Sequence, residues 1–228
     1  MSEELTALWL TLQLAATTTI FLIFIGTPIA WWLARTQSPA RTFIEPIVAL
    51  PIVLPPTVMG FYLLLAFAPQ SAIGQAWASM TGSPLAFSFE ALVIGSIIYS
   101  APFYIQPLQV AFESLPARVM DAAATLGASP LDRFFTIAVP LSRQGFVIAC
   151  CLAFAHTIGE FGIVLMIGGS IPGETRVLSI ALFEHVETLD YARAHWLAGG
   201  LLAFSFALLF IVYRLNRQWR FSGGERRD

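Results

Sequence analysis

His156 and Glu160 stand four residues apart in an otherwise uncharged stretch, so on a helix they share one face. Ionisable groups in such a setting relay protons, gate a passage or bond to a neighbouring helix. The order His-Thr-Ile-Gly-Glu is not the His-Glu-x-x-His of a zinc peptidase helix. Cys150 and Cys151 are adjacent, which prevents an ordinary disulfide or a shared metal between them, and they read as small packing side chains. No catalytic residue, metal site or cofactor is therefore assigned. His156 and Thr157 are candidates for gate or pathway positions, with a hydrogen-bonded packing role as the alternative. A carboxylate repels anions, so Glu160 reads as a gate or packing residue bonded to a neighbouring span, with pathway lining as the alternative, rather than as an anion ligand. Gly168, Gly169 and Ser170 could offer backbone N–H groups to an anion or simply make a turn.

The elements that would carry these residues are membrane spans. The chain is 57% hydrophobic and 11% charged, against about 25% charged in soluble domains, and its mean hydropathy is +0.75. A bilayer core asks for roughly 20 apolar residues per helix. Five segments qualify, at 8–34, 43–67, 87–110, 145–167 and 194–213. Pro51, Pro55 and Pro56 must kink or partly unwind the second, which requires neighbouring protein or a cavity to satisfy the freed backbone. Pro55 and Pro56 thus join the gate or pathway candidates, and Pro102 and Pro107 carry the same implication for the third span. The Met1-Ser2-Glu3-Glu4 start lacks the basic region of a cleavable signal peptide, so the first run is expected to stay in the membrane.

All twelve basic residues are arginine. Ten of them (Arg35, Arg41, Arg118, Arg133, Arg143, Arg214, Arg217, Arg220, Arg226 and Arg227) fall on one side of the five-span arrangement, and only Arg176 and Arg193 on the other. The positive-inside rule then puts the N-terminus outside and the C-terminus in the cytoplasm. No repeat, linker or low-complexity segment is evident, so residues 1–228 read as one integral membrane domain.

The cytoplasmic connection 111–144 is not written as a disordered loop. Pro116 can start a helix, Asp121 suits its early turns, and Ala122, Ala123 and Ala124 favour it. Gly127 breaks that helix, Pro130 can start a second, and Pro140 is expected to end it. Leu126, Leu131, Phe134 and Phe135 would then need a cover, either the chain's own spans or a soluble partner.

The pattern Asp121-Ala122-Ala123, Gly127, Ile137, Val139-Pro140 resembles the coupling motif of ABC importer permeases, in which Glu-Ala-Ala, a glycine, an isoleucine and Leu-Pro recur at the same spacing. Asp121 for Glu and Val139 for Leu are conservative departures. The stretch from Leu50 to Gly60, the tetrad Gly159-Glu160-Phe161-Gly162 and the run Ile171 to Arg176 resemble the molybdate importer permeases. The first two are shared in variant form with sulfate and thiosulfate permeases, and the third favours molybdate over sulfate. Some members carry an extra N-terminal span, which is not expected here. The resemblance implies an all-α type I permease fold with five transmembrane helices in a bacterial inner membrane. It also implies a second copy of the chain, cytoplasmic ABC ATPase subunits bound through Asp121, Ala122, Ala123, Leu126, Gly127, Leu131, Phe134, Ile137 and Pro140, and an extracytoplasmic oxyanion-binding protein. The transported anion would be molybdate, with tungstate not separable from it. No nucleic-acid partner is expected.

The chain has neither a phosphate-binding loop of the Gly-x-x-x-x-Gly-Lys-Ser/Thr kind nor any lysine to complete one, so ATP hydrolysis would belong to another chain. Competing readings are a membrane enzyme or proton-linked carrier using His156 and Glu160, and a scaffold subunit without a pathway. The first needs further convergent groups inside the spans, and the sequence offers none. The segment 175–186 is expected to form an external amphipathic helix that covers the gate or meets the binding protein. The basic tail 214–227 reads as a topology signal that could also bind anionic lipid.

Overall fold

The computed structural model describes residues 3–222, with side chains to residue 214, and is all-helical over that range. The side chains of Arg217, Arg220, Arg226 and Arg227 in the basic tail lie outside the described residues. Three helices are long and apolar enough to cross a bilayer alone: α1 (Glu3–Arg35), α5 (Phe89–Glu113) and α12 (Tyr191–Ser222). Between α1 and α5 lie α2 (Arg41–Val53), α3 (Pro56–Phe67) and α4 (Ala72–Thr81).

The second expected span is broken rather than merely kinked. α2 and α3 meet at Leu54 and Pro55 with a bend of 111°. Leu54 and Pro55 are extended, with ψ of 136° and 135°, and Pro56 opens α3, where its missing N–H costs nothing. Pro102 and Pro107 do not unwind α5, which runs unbroken through both, and they lie against other helices as expected. Its C-terminal half is buried between α1, α2 and α9 (Arg143–Gly159), so packing holds the helix across the missing donors.

α1 and α5 run parallel. Leu10 and Leu14 near the start of α1 share a buried cluster with Leu92 near the start of α5, while Leu33 at its end packs with Leu108 and Phe112. A buried hydrogen bond of 2.9 Å between Thr27 Oγ1 and the Tyr104 hydroxyl joins them midway. α9 runs antiparallel to both, with Ala149 and Ala153 in the same cluster as Leu108 and Phe112. The ends of α1 and α5 and the start of α9 thus lie at one end of the bundle, as a single arginine-rich side requires.

The fourth expected span is also broken, a feature that no proline announces in the sequence. α9 stops at Gly159, Glu160 turns extended with ψ 133°, and α10 (Gly162–Gly168) resumes after Phe161. α11 (Leu178–Glu187) covers most of the segment 175–186 expected to be helical, and it packs on α1, α9 and α12. α12 leaves its apolar length, including Leu202, Phe206 and Phe210, exposed.

The connection 114–142 folds into short helices, α6 (Ala117–Thr125), α7 (Pro130–Arg133) and α8 (Val139–Leu141), with a π-helical turn over Phe134–Ala138 between the last two. Pro140 does not end the second helix, as expected from sequence, but sits inside α8. The wider π turn just before it makes room where its ring would press on the preceding turn. The chain leaves helical geometry only at Ser142 (φ −94°, ψ 11°).

Candidate functional site

Two regions carry the residues singled out by sequence. At the arginine-rich end, Pro116 caps α6, and Gly127 takes φ +85° with open space around the position a Cβ would occupy. That left-handed conformation is what only glycine adopts without cost, and it turns the chain between α6 and α7. Ser129 and Asp132 close a capping box at α7: the Asp132 N–H donates to Ser129 Oγ at 3.2 Å and the Ser129 N–H donates to the Asp132 carboxylate at 3.2 Å, while the Ser129 hydroxyl also donates to that carboxylate at 2.6 Å. These bonds hold the Asp132 carboxyl below its ordinary range.

The apolar residues of this region divide. Leu126 is 87% exposed and Leu131 70%, and Phe135 also faces outward, forming an uncovered apolar edge. Phe134 is not part of it and takes the other alternative, cover by the chain's own spans. Its ring packs edge-on against Trp31 of α1 at 5.1 Å and lies 6.1 Å from Phe112 of α5. Asp121 and Ala122 are exposed, Ala123 and Ile137 half-buried, and Ala138 fully buried. One face therefore anchors the element to the spans while the other is free.

The second region joins the two broken spans. Gly162, at the start of α10, lies against Pro56, at the start of α3, so closely that a Cβ would sit 2.7 Å from Pro56 Cβ. One turn along α3, a Cβ on Gly60 would lie 2.8 Å from Met166 Cβ. Two glycines thus allow α10 to wedge against α3. Beside this junction a cavity of about 540 Å³ is lined by Pro56, Thr57, Tyr99, His156, Glu160 and Phe161, among others. His156, Glu160 and Pro56 share its wall, whereas Pro55 and the buried Thr157 do not line it.

Glu160 is 5% exposed, and one carboxylate oxygen accepts from Ser96 Oγ of α5 at 3.1 Å, the bond to a neighbouring span expected from sequence. Its other oxygen is buried without a hydrogen-bond partner among the described residues. Ser179 of α11 donates to the Glu160 carbonyl at 2.6 Å and so ties α11 onto the break. His156 stacks on Phe103 at 3.8 Å, and its Nδ1 lies 2.9 Å from Ser100 Oγ.

The run Ile171 to Arg176 acts within the chain. Thr175 is fully buried, donating to the Gly168 carbonyl at 2.7 Å and accepting from the Ile171 N–H at 3.1 Å. Arg176 pairs with Glu184 at 2.7 Å and Glu3 at 3.2 Å, and Ser170 donates its hydroxyl to Glu184. Ser170 and the Gly169 N–H, bonded to the Leu165 carbonyl, are thereby engaged in a closed loop rather than an anion cradle. Sequence reasoning missed this clip and the glycine contacts at Gly60 and Gly162, because both depend on which elements meet.

Residues 26–220 match the family described as the binding-protein-dependent transport system inner membrane component. The molybdenum transport system permease protein ModB of Azotobacter vinelandii is 54% identical over 94% of this chain and 95% of its own length. Among solved structures, the MetNI methionine ABC transporter in inward-facing conformations matches with a TM-score of 0.74 at 15% identity, covering 94% of this chain and 95% of that one. A bacterial alginate ABC transporter, in complex with an alginate pentasaccharide-bound periplasmic protein, matches with a TM-score of 0.73 at 17% identity, covering 98% and 81%. The fold is that of an ABC importer permease, and the chain belongs to the family of inner-membrane components of binding-protein-dependent transport systems.

Proposed function

We propose that this chain is the membrane-spanning subunit of an ABC importer that carries molybdate into the cytoplasm. The observation that carries this reading is the 54% identity, over nearly the full length of both chains, with a protein named as a molybdenum transport permease. The cavity at the two broken spans supports a pathway for a small anion. Its walls are partly open in one chain, and a second copy facing it would close them; a homodimer is therefore part of the proposal. The exposed edge at Leu126, Leu131 and Phe135, anchored through Phe134, suits an ATPase groove, where burying apolar side chains gives about 25 cal/mol per Å². Asp121, Gly127, Ile137 and Pro140 shape that edge. The arginine-rich end faces the cytoplasm in this reading, which leaves α11 and the Arg176 clip on the side of the binding protein.

His156 and Glu160 then act at a gate rather than in catalysis. The direct test is to purify a complex through this chain, with its ATPase and binding protein, and follow ATP hydrolysis. Turnover should rise when molybdate-loaded binding protein is added. Absence of an ATPase from the complex, or turnover indifferent to the loaded protein, would overturn the reading.

A further inference from the structure

An oxyanion crossing a bilayer needs positive charge or hydrogen-bond donors to replace its water. Among the described residues no arginine lines the cavity, and the chain has no lysine. His156 is the one described residue lining the cavity that can become a cation. Its hydrogen bonds fix which nitrogen is free. The Thr157 hydroxyl donates its single proton to the Ala153 carbonyl at 2.9 Å, an acceptor with no proton to return. Ser100 Oγ, 3.0 Å from Thr157 Oγ1, must then donate to Thr157. Ser100 is left as an acceptor, so the proton between it and His156, at 2.9 Å, sits on Nδ1. Neutral His156 consequently carries a bare lone pair on Nε2, which has no hydrogen-bond partner among the described residues and would repel an anion.

We propose that His156 is the anion-binding residue of the translocation cavity, and that a tetrahedral oxyanion binds there only together with a proton taken up on Nε2. The inference rests on the permease reading above. The surroundings suit an imidazolium that forms together with its counter-ion. Phe103 stacks on the ring at 3.8 Å and Tyr99 lies 4.9 Å away, offering π faces to a cation. His156 also lies in the last turn of α9, whose free carbonyl end favours positive charge. The titratable groups around it are Tyr99 on α5 and Glu160 at the end of its own helix, and the α3 wall of Pro56 and Thr57 adds none. Glu160 is buried with one oxygen lacking any donor among the described residues, a setting that suits the neutral carboxyl rather than a standing counter-ion. An imidazolium without an anion would therefore be uncompensated at this depth, and proton and anion arrive as a pair.

The test is molybdate uptake into liposomes holding the complete importer, driven by ATP and molybdate-loaded binding protein, from pH 5.5 to 8.5. Wild-type uptake per ATP hydrolysed should fall as pH rises. His156→Arg, a permanent cation of the same role, should transport at all these pH values with a flatter profile. His156→Asn, whose amide can reproduce the Nδ1–H bond to Ser100 but carries no charge, should lose uptake tenfold or more in complexes that assemble as the wild type does. Equal uptake by His156→Asn and wild type, failure of both variants in assembled complexes, or a wild-type yield per ATP independent of pH would each overturn the proposal. A wild-type complex that takes up no molybdate at any pH would instead overturn the permease reading itself, and this inference with it.

Discussion

Gly162 and Pro56 bring the two broken spans into contact: the start of α10 meets the start of α3 at a distance that excludes a Cβ. Both breaks are thereby fixed by the same contact. The Gly159-Glu160-Phe161-Gly162 tetrad supplies the glycine on one side, and the proline-rich Leu50–Gly60 stretch supplies the ring on the other. A methyl group at position 162 would force α3 and α10 apart.

Gly162→Ala should accordingly destabilise the folded permease by the roughly 1–3 kcal/mol typical of overpacking. The nearest atom is the Cβ of a ring that cannot swing away. Thermal unfolding of the detergent-solubilised protein would read this as a lower midpoint. Gly199→Ala on α12, where an added methyl would meet nothing within 4 Å, should leave the midpoint unchanged.

Gly127 gives a different kind of prediction, since its substitution meets no atom and suffers only from its φ of +85°. Forcing a β-branched residue there costs about 1–2 kcal/mol, and every 1.4 kcal/mol is tenfold in affinity. Gly127→Val should keep membrane insertion but lower co-purification of the ATPase about tenfold, whereas Gly127→Asn, which tolerates the left-handed region, should lose much less. Equal ATPase recovery with wild type and Gly127→Val would remove this loop from the coupling role.

The clip on α11 has a pH signature. Burial raises the Glu184 carboxyl, but hydrogen bonds from Ser170 and Arg176 outweigh it and leave the group below its ordinary value. A carboxylate lowered by folding adds stability above its unfolded value and loses it as pH falls through the folded one. The loop 169–177 should therefore resist proteolysis equally at pH 5 and pH 8, and open only below the usual carboxylate range. Glu184→Gln should open it at neutral pH, and equal protection in that variant would show that Thr175 alone holds the loop.

Sidedness can be read by single cysteines placed at Ala128 and Gly173 after Cys150 and Cys151 are changed to alanine. The ten-to-two arginine split predicts that a membrane-impermeant thiol reagent reaches Gly173→Cys from outside and Ala128→Cys only after the membrane is opened. Reversal of the two would invert the topology.

What the sequence made legible follows the range over which each signal acts. In the connection 114–142 the starts of α6 and α7 and the turn between them could be read from Pro116, Pro130 and Gly127, which act on their own backbone, whereas the π turn that lets Pro140 sit inside a helix could not. Phe134 could not be sorted from Leu131 or Phe135, since only the approach of Trp31 and Phe112 buries it. Pro102 and Pro107 leave α5 unbroken where it packs against three neighbours, and the break at Glu160 carries no proline to announce it. The cavity likewise depends on α3 and α10 meeting, and their residues lie about a hundred positions apart in the chain.

Molybdate uptake by the reconstituted importer measures the proposed function most directly. Liposomes containing the chain with its ATPase, given ATP inside and binding protein loaded with either molybdate or sulfate outside, allow both metal and sulfur uptake to be counted by elemental analysis. Molybdenum should accumulate in proportion to ATP hydrolysed, with sulfur uptake at least tenfold lower at equal loading. Sulfate accumulation equal to or above that of molybdate, or ATP hydrolysis with no molybdenum inside, would contradict it.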